Sequence, residues 1–504
     1  MRVALPGAPN VPVAALRLFS VFRAIDISVD RSTDVSATSY QSVRQEFWNT
    51  RSTPHRKSAR PYHRRLAAVY ASLIGPGQRV LELGCGTGDL LASLQPSFGV
   101  GVDFSDATIN TASARHPELS FVAADAHSFE IDAEFDVIIL SDLVNDLWDV
   151  QGVLERVRGM CAPETRVILN FFNRLWQGPL HFARWLGLAR PLLRQNWLST
   201  QDVYNLLGLA GFEVVTHRRE ALMPAPLGPV STLMNRYAVN FWPFSKVALT
   251  SFLVARPFGT PPLKPEASVS VIVPARNESG NIEAIIERTP QMGSKTEVIF
   301  VEGNSTDDTH LVIQRALTSP GREHVSLLRQ PGVGKGDAVR HGFAHATGDI
   351  LMILDADMTV APEELPRFYR AITEGTGEFI NGVRLVYPME REAMRTLNFL
   401  GNKAFSIAFS WLLRQPVKDT LCGTKVLTRR SYEVIAANRS YFGDFDPFGD
   451  FDLLFGAAHA NLKIVDLPIR YRDRTYGTTN IDRWRHGILL LRMSAFAARK
   501  LRFT

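Results

Sequence analysis

Two acids close an apolar run at residues 350–357, ILMILDAD. The five apolar side chains Ile350–Leu354 suit a buried parallel strand, and Pro362 with Glu363 and Glu364 suits a helix opening. Asp355 and Asp357 then fall in a strand-to-helix loop, at the edge where open parallel sheets hold ligands. Alternation along an extended chain turns both carboxylates to one side, where a positive charge belongs between them.

Upstream segments supply matching chemistry. VSVIVPARNESGNI ends a strand at Pro274 and Ala275 and leads through Asn277 and Glu278 into a helix. EVIFVEGNSTDDT ends the next strand with Glu302, Asn304, Ser305 and Asp307. This acceptor-rich ledge suits the N–H groups of a base and ribose hydroxyls, and its charge opposes a phosphate. QPGVGKGDAVRHGF sets Gly332, Gly334 and Gly336 around Lys335, with Arg340 one turn into the next helix. A lysine on a glycine loop can follow a diphosphate. G-x-G-K-G lacks both the Walker spacing and the Ser or Thr after Lys, which argues against ATP hydrolysis. The set describes a nucleoside diphosphate, with Mg2+ or Mn2+ on Asp355 and Asp357 offsetting charge as a sugar–phosphate bond breaks.

Residues 268 to about 480 resemble the family 2 glycosyltransferases of GT-A fold, most of all the dolichol- and polyprenyl-phosphate sugar transferases. The resemblance implies Pro274, Ala275, Asn277, Glu278, Glu302, Ser305, Asp307, Lys335 and Asp355 around the nucleotide-sugar donor, with Asp355 and Asp357 catalytic through the metal. The family's Asp-Asp-Gly-Ser-x-Asp is here VEGNSTDD, with Glu302 and Gly303 for the acids, which leaves the base open. In GDFDLLFGAA, Asp450 and Asp452 share a face if extended. Either serves as catalytic base toward a hydroxyl, and a phosphate acceptor needs none; helix capping by Asp450 is the alternative. In PIRYRDRTYG, Arg470, Arg472 and Arg474 make a phosphate-gripping patch if extended, or else a plain basic edge. The acceptor is a lipid phosphate or a glycan. The basic amphipathic tail from Arg483 either rests on anionic lipid, as a peripheral membrane contact, or packs on the protein.

In the first half, RVLELGCGTGDLL passes from strand to helix through Gly84, Gly86 and Gly88. G-x-G-x-G with Glu82 before it is not the pyrophosphate fingerprint G-x-G-x-x-G; a carboxylate there favours a cationic amino group. Asp103 ends the second strand, where it can accept ribose hydroxyls, and Asp125 ends the third. An adenosine bearing an amino acid fits this set. Residues 40–256 thus resemble the Rossmann-like S-adenosylmethionine-dependent methyltransferases, which implies the three glycines under the amino acid part of the cofactor, Asp103 on its ribose and Asp125 near its adenine. In SDLVNDLWD, Asp142, Asn145 and Asp146 can face the methyl group; Asp142 is a base or, as its place before a helix favours, a cap. The segment lacks the Asn/Asp-Pro-Pro-aromatic tetrad, and neither half carries a nucleic-acid module, so no nucleic-acid partner is expected.

These motifs need scaffolding on either side of a Pro-rich stretch. At 504 residues and 45% hydrophobic, the chain exceeds one ordinary core. Strands alternating with helices give an α/β class with two domains, each a mostly parallel sheet flanked by helices. The expected division is an extension of poor order over 1–39, the methyltransferase-like domain over 40–256, a linker over 257–267, the transferase-like domain over 268–480, and the tail over 481–504. A net charge of +6 fits an anionic partner, and three scattered cysteines suit a reducing cytoplasm. No apolar run reaches the ~18 residues of a membrane span. The function expected is a bifunctional methyl- and sugar transferase on a cell-envelope glycan or glycolipid, at the inner membrane face if it touches lipid. A transferase whose N-terminal half only binds the cofactor or acts as a scaffold is the alternative.

Overall fold

The computed structural model describes residues 37–49, 60–187, 193, 195–223, 228–259, 263–264, 266–387, 396–439, 449–472, 474, 476 and 483–503. Residues 1–51 and 52–504 form separate compact units. In the first, the described part is the helix Ala37–Asn49. The expected extension lies outside the described residues as far as residue 36, and 37–39 open that helix.

The larger unit holds two seven-stranded sheets. The first comprises β1 (Arg79–Leu83), β2 (Phe98–Asp103), β3 (Ser120–Ala123), β4 (Val137–Leu140), β5 (Arg166–Phe172), β6 (Phe212–Glu220) and β7 (Thr250–Pro257). Its order is β3-β2-β1-β4-β5-β7-β6, parallel from β3 through β5, with β7 antiparallel to both neighbours. The second comprises β8 (Val269–Ala275), β9 (Thr296–Glu302), β10 (Val325–Arg329), β11 (Ile350–Ile353), β12 (Phe379–Val383), β13 (Lys425–Thr428) and β14 (Ile464–Pro468). Its order is β10-β9-β8-β11-β13-β12-β14, parallel from β10 through β11, with β13 reversed between β11 and β12. Strand order therefore reverses beside β1 and beside β8, which opens a crevice at the carboxyl ends of each pair of central strands.

Both faces of each sheet are covered, so the central strands are apolar throughout rather than alternating. Leu81, Leu83, Ile138, Leu140, Val167 and Leu169 pack one way, while Val80, Val137, Ile139 and Ile168 pack the other. In the second sheet Val269, Val271 and Val273 share a layer with Ile350 and Met352, and Ile272, Leu351 and Ile353 face the opposite layer. The tail forms the helix Arg483–Leu501, whose Met493 and Ala497 are buried in that opposite layer.

The halves meet along a polar seam. Arg166 Nη2 donates to both oxygens of Glu378 at 2.7 Å, and its Nε donates to Asn461 O at 2.9 Å. Arg256 Nη2 reaches Gly375 O at 2.7 Å, Lys463 Nζ lies 3.0 Å from Glu213 Oε2, and Asn461 Nδ2 donates to Leu73 O at 2.9 Å. β7 ends at Pro257 and β8 begins at Val269, on either side of the proline-rich stretch.

Candidate active sites

The turn after β1 is shaped by backbone that only glycine adopts without strain. Gly84, Gly86 and Gly88 have φ of 73°, 53° and 74°, and a Cβ on Gly88 would sit 2.6 Å from Phe121 Cζ. Gly86 N donates to Asp103 Oδ2 and Ser105 N to Asp103 Oδ1, both at 3.0 Å, which fixes the carboxylate against the turn. Burial lifts its pKa, and the two amides hold it back. Glu82 is buried below the turn and takes one backbone hydrogen bond from Leu91; its Oε2 has no partner among the described residues. Burial drives its pKa well above the usual range. A cationic ammonium group is the partner such a carboxylate calls for, so the residues fit S-adenosylmethionine. Asp125 Oδ1 accepts from His127 N at 2.8 Å and pairs with His127 Nδ1 at 2.6 Å; the His127 contact lowers its pKa.

Asp142 follows β4 in the left-handed region, with φ of 53°. It is not a helix cap: the helix Val150–Gly159 is capped by Asp149, whose side chain accepts from Gly152 N. Instead Asp142 Oδ1 accepts Tyr62 OH at 2.9 Å and Asn170 Nδ2, and Asn170 Oδ1 accepts Tyr70 OH at 2.6 Å. Burial raises Asp142 to about 6, against the pull of Tyr62 and Asn170. Tyr62, with Phe172 at 6.1 Å and Trp197 a further 6.5 Å on, gives this edge an aromatic wall. Sequence reasoning passed over Tyr62 and Asn170, although a lone amide within the apolar strand RVILNFF was a usable signal. Asn145 is buried and structural, its Nδ2 on Asn196 O at 2.6 Å and its Oδ1 accepting Phe172 N at 3.0 Å.

At the second crevice the ledge is self-bonded. Asn277 N donates to Ser305 Oγ at 3.1 Å, Thr306 N to Asn277 Oδ1 at 2.8 Å, Ser305 N to Glu302 Oε1 at 2.5 Å and Ser279 N to Asp307 Oδ2 at 3.3 Å. Gly303 N reaches back to Ala275 O at 2.9 Å, tying the end of β9 to Pro274–Ala275 of β8. Lys335 Nζ lies 2.5 Å from Asp355 Oδ1. Burial pushes Asp355 up, but Lys335, with Lys425 and Arg384 behind it, leaves its pKa lowered. Asp357 accepts Arg474 Nη2 at 2.9 Å and Thr359 Oγ1 at 2.7 Å. Arg474 Nη1 also holds Glu278 Oε1 at 3.0 Å, and burial lifts Glu278 to about 7 despite that cation. Alternation does not carry through to Asp357: the chain turns at Ala356–Asp357, Met358 has φ of 58°, and each acid faces its own cation.

Residues 54–217 match the methyltransferase domain family and residues 270–435 match glycosyl transferase family 2. The chain joins a methyltransferase domain to a family 2 glycosyltransferase domain. The undecaprenyl-phosphate 4-deoxy-4-formamido-L-arabinose transferase of Klebsiella pneumoniae (strain 342) is 33% identical over 119 residues, 23% of this chain and 36% of the relative. Its counterpart from Sodalis glossinidius is 35% identical over 112 residues, 21% of this chain and 34% of the relative. The chain thus spans about a third of the length of these relatives. Among solved structures, magnesium protoporphyrin IX methyltransferase from Synechocystis PCC 6803 with bound SAH has 16% identity and a TM-score of 0.32 over 43% of this chain and 99% of its own. Glucosyl-3-phosphoglycerate synthase from Mycobacterium tuberculosis, bound to Mn2+ and UDP, has 18% identity and a TM-score of 0.36 over 47% of this chain and 81% of its own.

Within the glycosyltransferase domain, the acceptor-side expectations change. Asp450 and Asp452 lie in the helix Asp450–His459, so they do not share an extended face. The N-cap of that helix is Gly449, without a side-chain bond, which sets aside capping by Asp450; the Asp450 side chain lies outside the described residues. Asp452 is buried against Arg439 Nε at 3.1 Å. The three arginines also diverge, because β14 stops at Pro468. Arg470 is exposed over the Tyr387 ring at 5.4 Å, Arg472 is exposed with its N on Thr359 O at 3.0 Å, and Arg474 belongs to the donor crevice. Gly423 and the Asp419–Arg384 pair were missed from sequence. Any Cβ on Gly423 would overlap Asp355 and Lys335, so its glycine lets β13's loop close over the pair. Asp419 is buried yet held at about 2 by Arg384, 2.7 Å away.

Among the described residues no three His, Cys, Asp or Glu side chains converge on one point. Two carboxylates at one strand end, Asp355 and Asp357, fit a hard cation such as Mg2+ or Mn2+, which takes one or two protein carboxylates and fills its sphere with other oxygens and water.

Proposed function

We propose that the chain carries two group-transfer activities: transfer of a sugar from a nucleoside-diphosphate donor, dependent on Mg2+ or Mn2+, and methyl transfer from S-adenosylmethionine. The observation that carries this reading is the opposite charge dressing of the two crevices. The methyltransferase edge offers a cationic donor acids that meet no lysine or arginine among the described residues; the glycosyltransferase edge pairs Asp355 with Lys335 and Asp357 with Arg474, cations that can turn to an anionic donor.

In the glycosyltransferase domain, Asp355 and Asp357 hold the cation, which when bound offsets charge on the leaving diphosphate. Lys335 reaches the same diphosphate, and Asn277, Glu302, Ser305 and Asp307 orient the nucleoside. In the methyltransferase domain, Gly84–Gly88 and Glu82 seat the methionine part and Asp103 the ribose. Asp142 takes a proton from the acceptor when that acceptor is a hydroxyl.

A lipid phosphate is the sugar acceptor we favour, in cell-envelope glycan or glycolipid synthesis. Relatives whose names specify undecaprenyl phosphate support it, as does one surface. No Asp or Glu falls between Glu164 and Asp202 or between Glu220 and Glu266. The two stretches touch where Trp176 Nε1 donates to Val247 O at 2.8 Å. On them Phe182, Trp185, Leu233 and Trp242 are 59%, 62%, 59% and 75% exposed. Aromatic, acid-free surfaces suit the inner leaflet of a membrane, and among the described residues no helix is long and apolar enough to cross one. Incubation with a panel of nucleotide sugars, Mn2+ and undecaprenyl phosphate, followed by mass spectrometry of the lipid, tests the sugar transfer; labelled S-adenosylmethionine tests the methyl transfer. Label bound but never transferred would leave the first half a cofactor-binding module.

A further inference from the structure

The seam is charge-matched at Arg166 and Arg256, which both face Glu378, and at Lys463, but not everywhere. Further along it, Ser72, Thr216 and Arg218 of the first half face Arg414, His459 and Lys500 of the second around a cavity of about 50 Å³. Arg414 follows the helix Thr396–Leu413 with φ of 59°, backbone that a residue with a Cβ enters only at some cost. Its Nη2 is buried and finds no hydrogen-bond partner among the described residues. Glu220, the nearby carboxylate, is engaged by Arg65 at 2.7 Å and by Arg218. Arg218 Nη1 donates to Ser72 Oγ at 2.9 Å, and Arg502 adds a further guanidinium on Trp411 O at 2.6 Å.

A guanidinium does not give up its proton inside a protein, so a buried one with an unmet N–H donor suits a further anion. Burial first, then Arg502 and Arg218, weigh against the charged form of Arg414, and Glu220, already shared between Arg65 and Arg218, offsets them only in part. Two arginines, a lysine and the Thr216 hydroxyl around a cavity of this size match a tetrahedral oxyanion, whose several acceptors take forked N–H donors; Ser72, whose hydroxyl donates to Val69 O at 2.7 Å, holds Arg218 in place. We propose that this cavity binds a phosphate-class oxyanion, free phosphate or the phosphate of a nucleotide, gripped by both halves at once. Binding there stabilises the seam and differs from donor binding at Lys335, and it stands whether or not either transferase activity does.

The test is thermal unfolding of the full chain in inorganic phosphate against chloride of equal ionic strength. The expected result is a saturable rise of a few degrees with phosphate alone. Arg414→Gln should remove that rise and, by relieving a charge that Glu220 offsets only in part, raise the phosphate-free Tm; Lys500→Gln should shift the titration to higher phosphate. Lys335→Ala should keep the response. A parallel titration with AMP assigns the source: no effect means free phosphate, and a matching effect means a nucleotide's phosphate group. Equal Tm in phosphate and chloride overturns the proposal. So does a response that survives Arg414→Gln or disappears with Lys335→Ala.

Discussion

The two crevices lie at the same place in two similar sheets and are dressed in opposite ways. Beside β1, Glu82, Asp103 and Asp142 meet backbone amides, a phenol and an amide, with no lysine or arginine bonded to them among the described residues. Beside β8, Asp355 meets Lys335, while Asp357 and Glu278 share Arg474. The difference teaches that the sheet supplies only the place, while the side chains around each crevice set the charge of the ligand it suits. An acid with no cation waits for a positive ligand; an acid with a cation can pass that cation to a negative one.

The largest break expected is the double change Asp355→Asn and Asp357→Asn. Sugar transfer should fall on the order of a thousandfold with methyl transfer intact, because charge neutralisation is lost at one edge only. Parallel assays of both activities on one preparation check it. Next comes the seam: Glu378→Ala leaves Arg166 buried and unpaired and should lower stability by about 3 kcal/mol, read from urea denaturation, without altering either crevice.

Gly88→Val comes third. It meets Phe121 in a left-handed backbone and should weaken S-adenosylhomocysteine binding by about a hundredfold while leaving UDP binding alone, as seen by calorimetry.

The smallest effect is in pH. Asp142 is held at about 6 by burial, above an ordinary aspartate. Its raised folded pKa favours the protonated form, so it withdraws stability as pH rises from about 4 to about 6 and adds no slope above that. Acting as a base it works once ionised, so methyl-transfer kcat/KM should rise through pH about 6 and level off, and Asp142→Asn should be low and flat across that range.

What the sequence made legible was local. The glycine turn at 84–88, the strand ends at Asp103 and Asp355, and β5 over 166–172 follow from spacing and apolar runs within a few residues. Contacts between distant residues were not legible: Tyr62 meets Asp142 across 80 positions and Arg474 meets Asp357 across 117, pairings that only the strand order creates. Asp450 and Asp452 misled because a period of two looks the same whether the segment is extended or, as here, helical. The reversed strands β7 and β13 were missed because both are buried on both faces, which erases the alternation of an antiparallel strand with one solvated face.

The most direct test of the opposed crevices is calorimetry on the full chain with S-adenosylhomocysteine and with UDP, each in Mn2+ and in EDTA. The expected outcome is that S-adenosylhomocysteine binds equally in both, while UDP binds tightly only with Mn2+. UDP binding indifferent to EDTA, or S-adenosylhomocysteine binding that needs the metal, would contradict it.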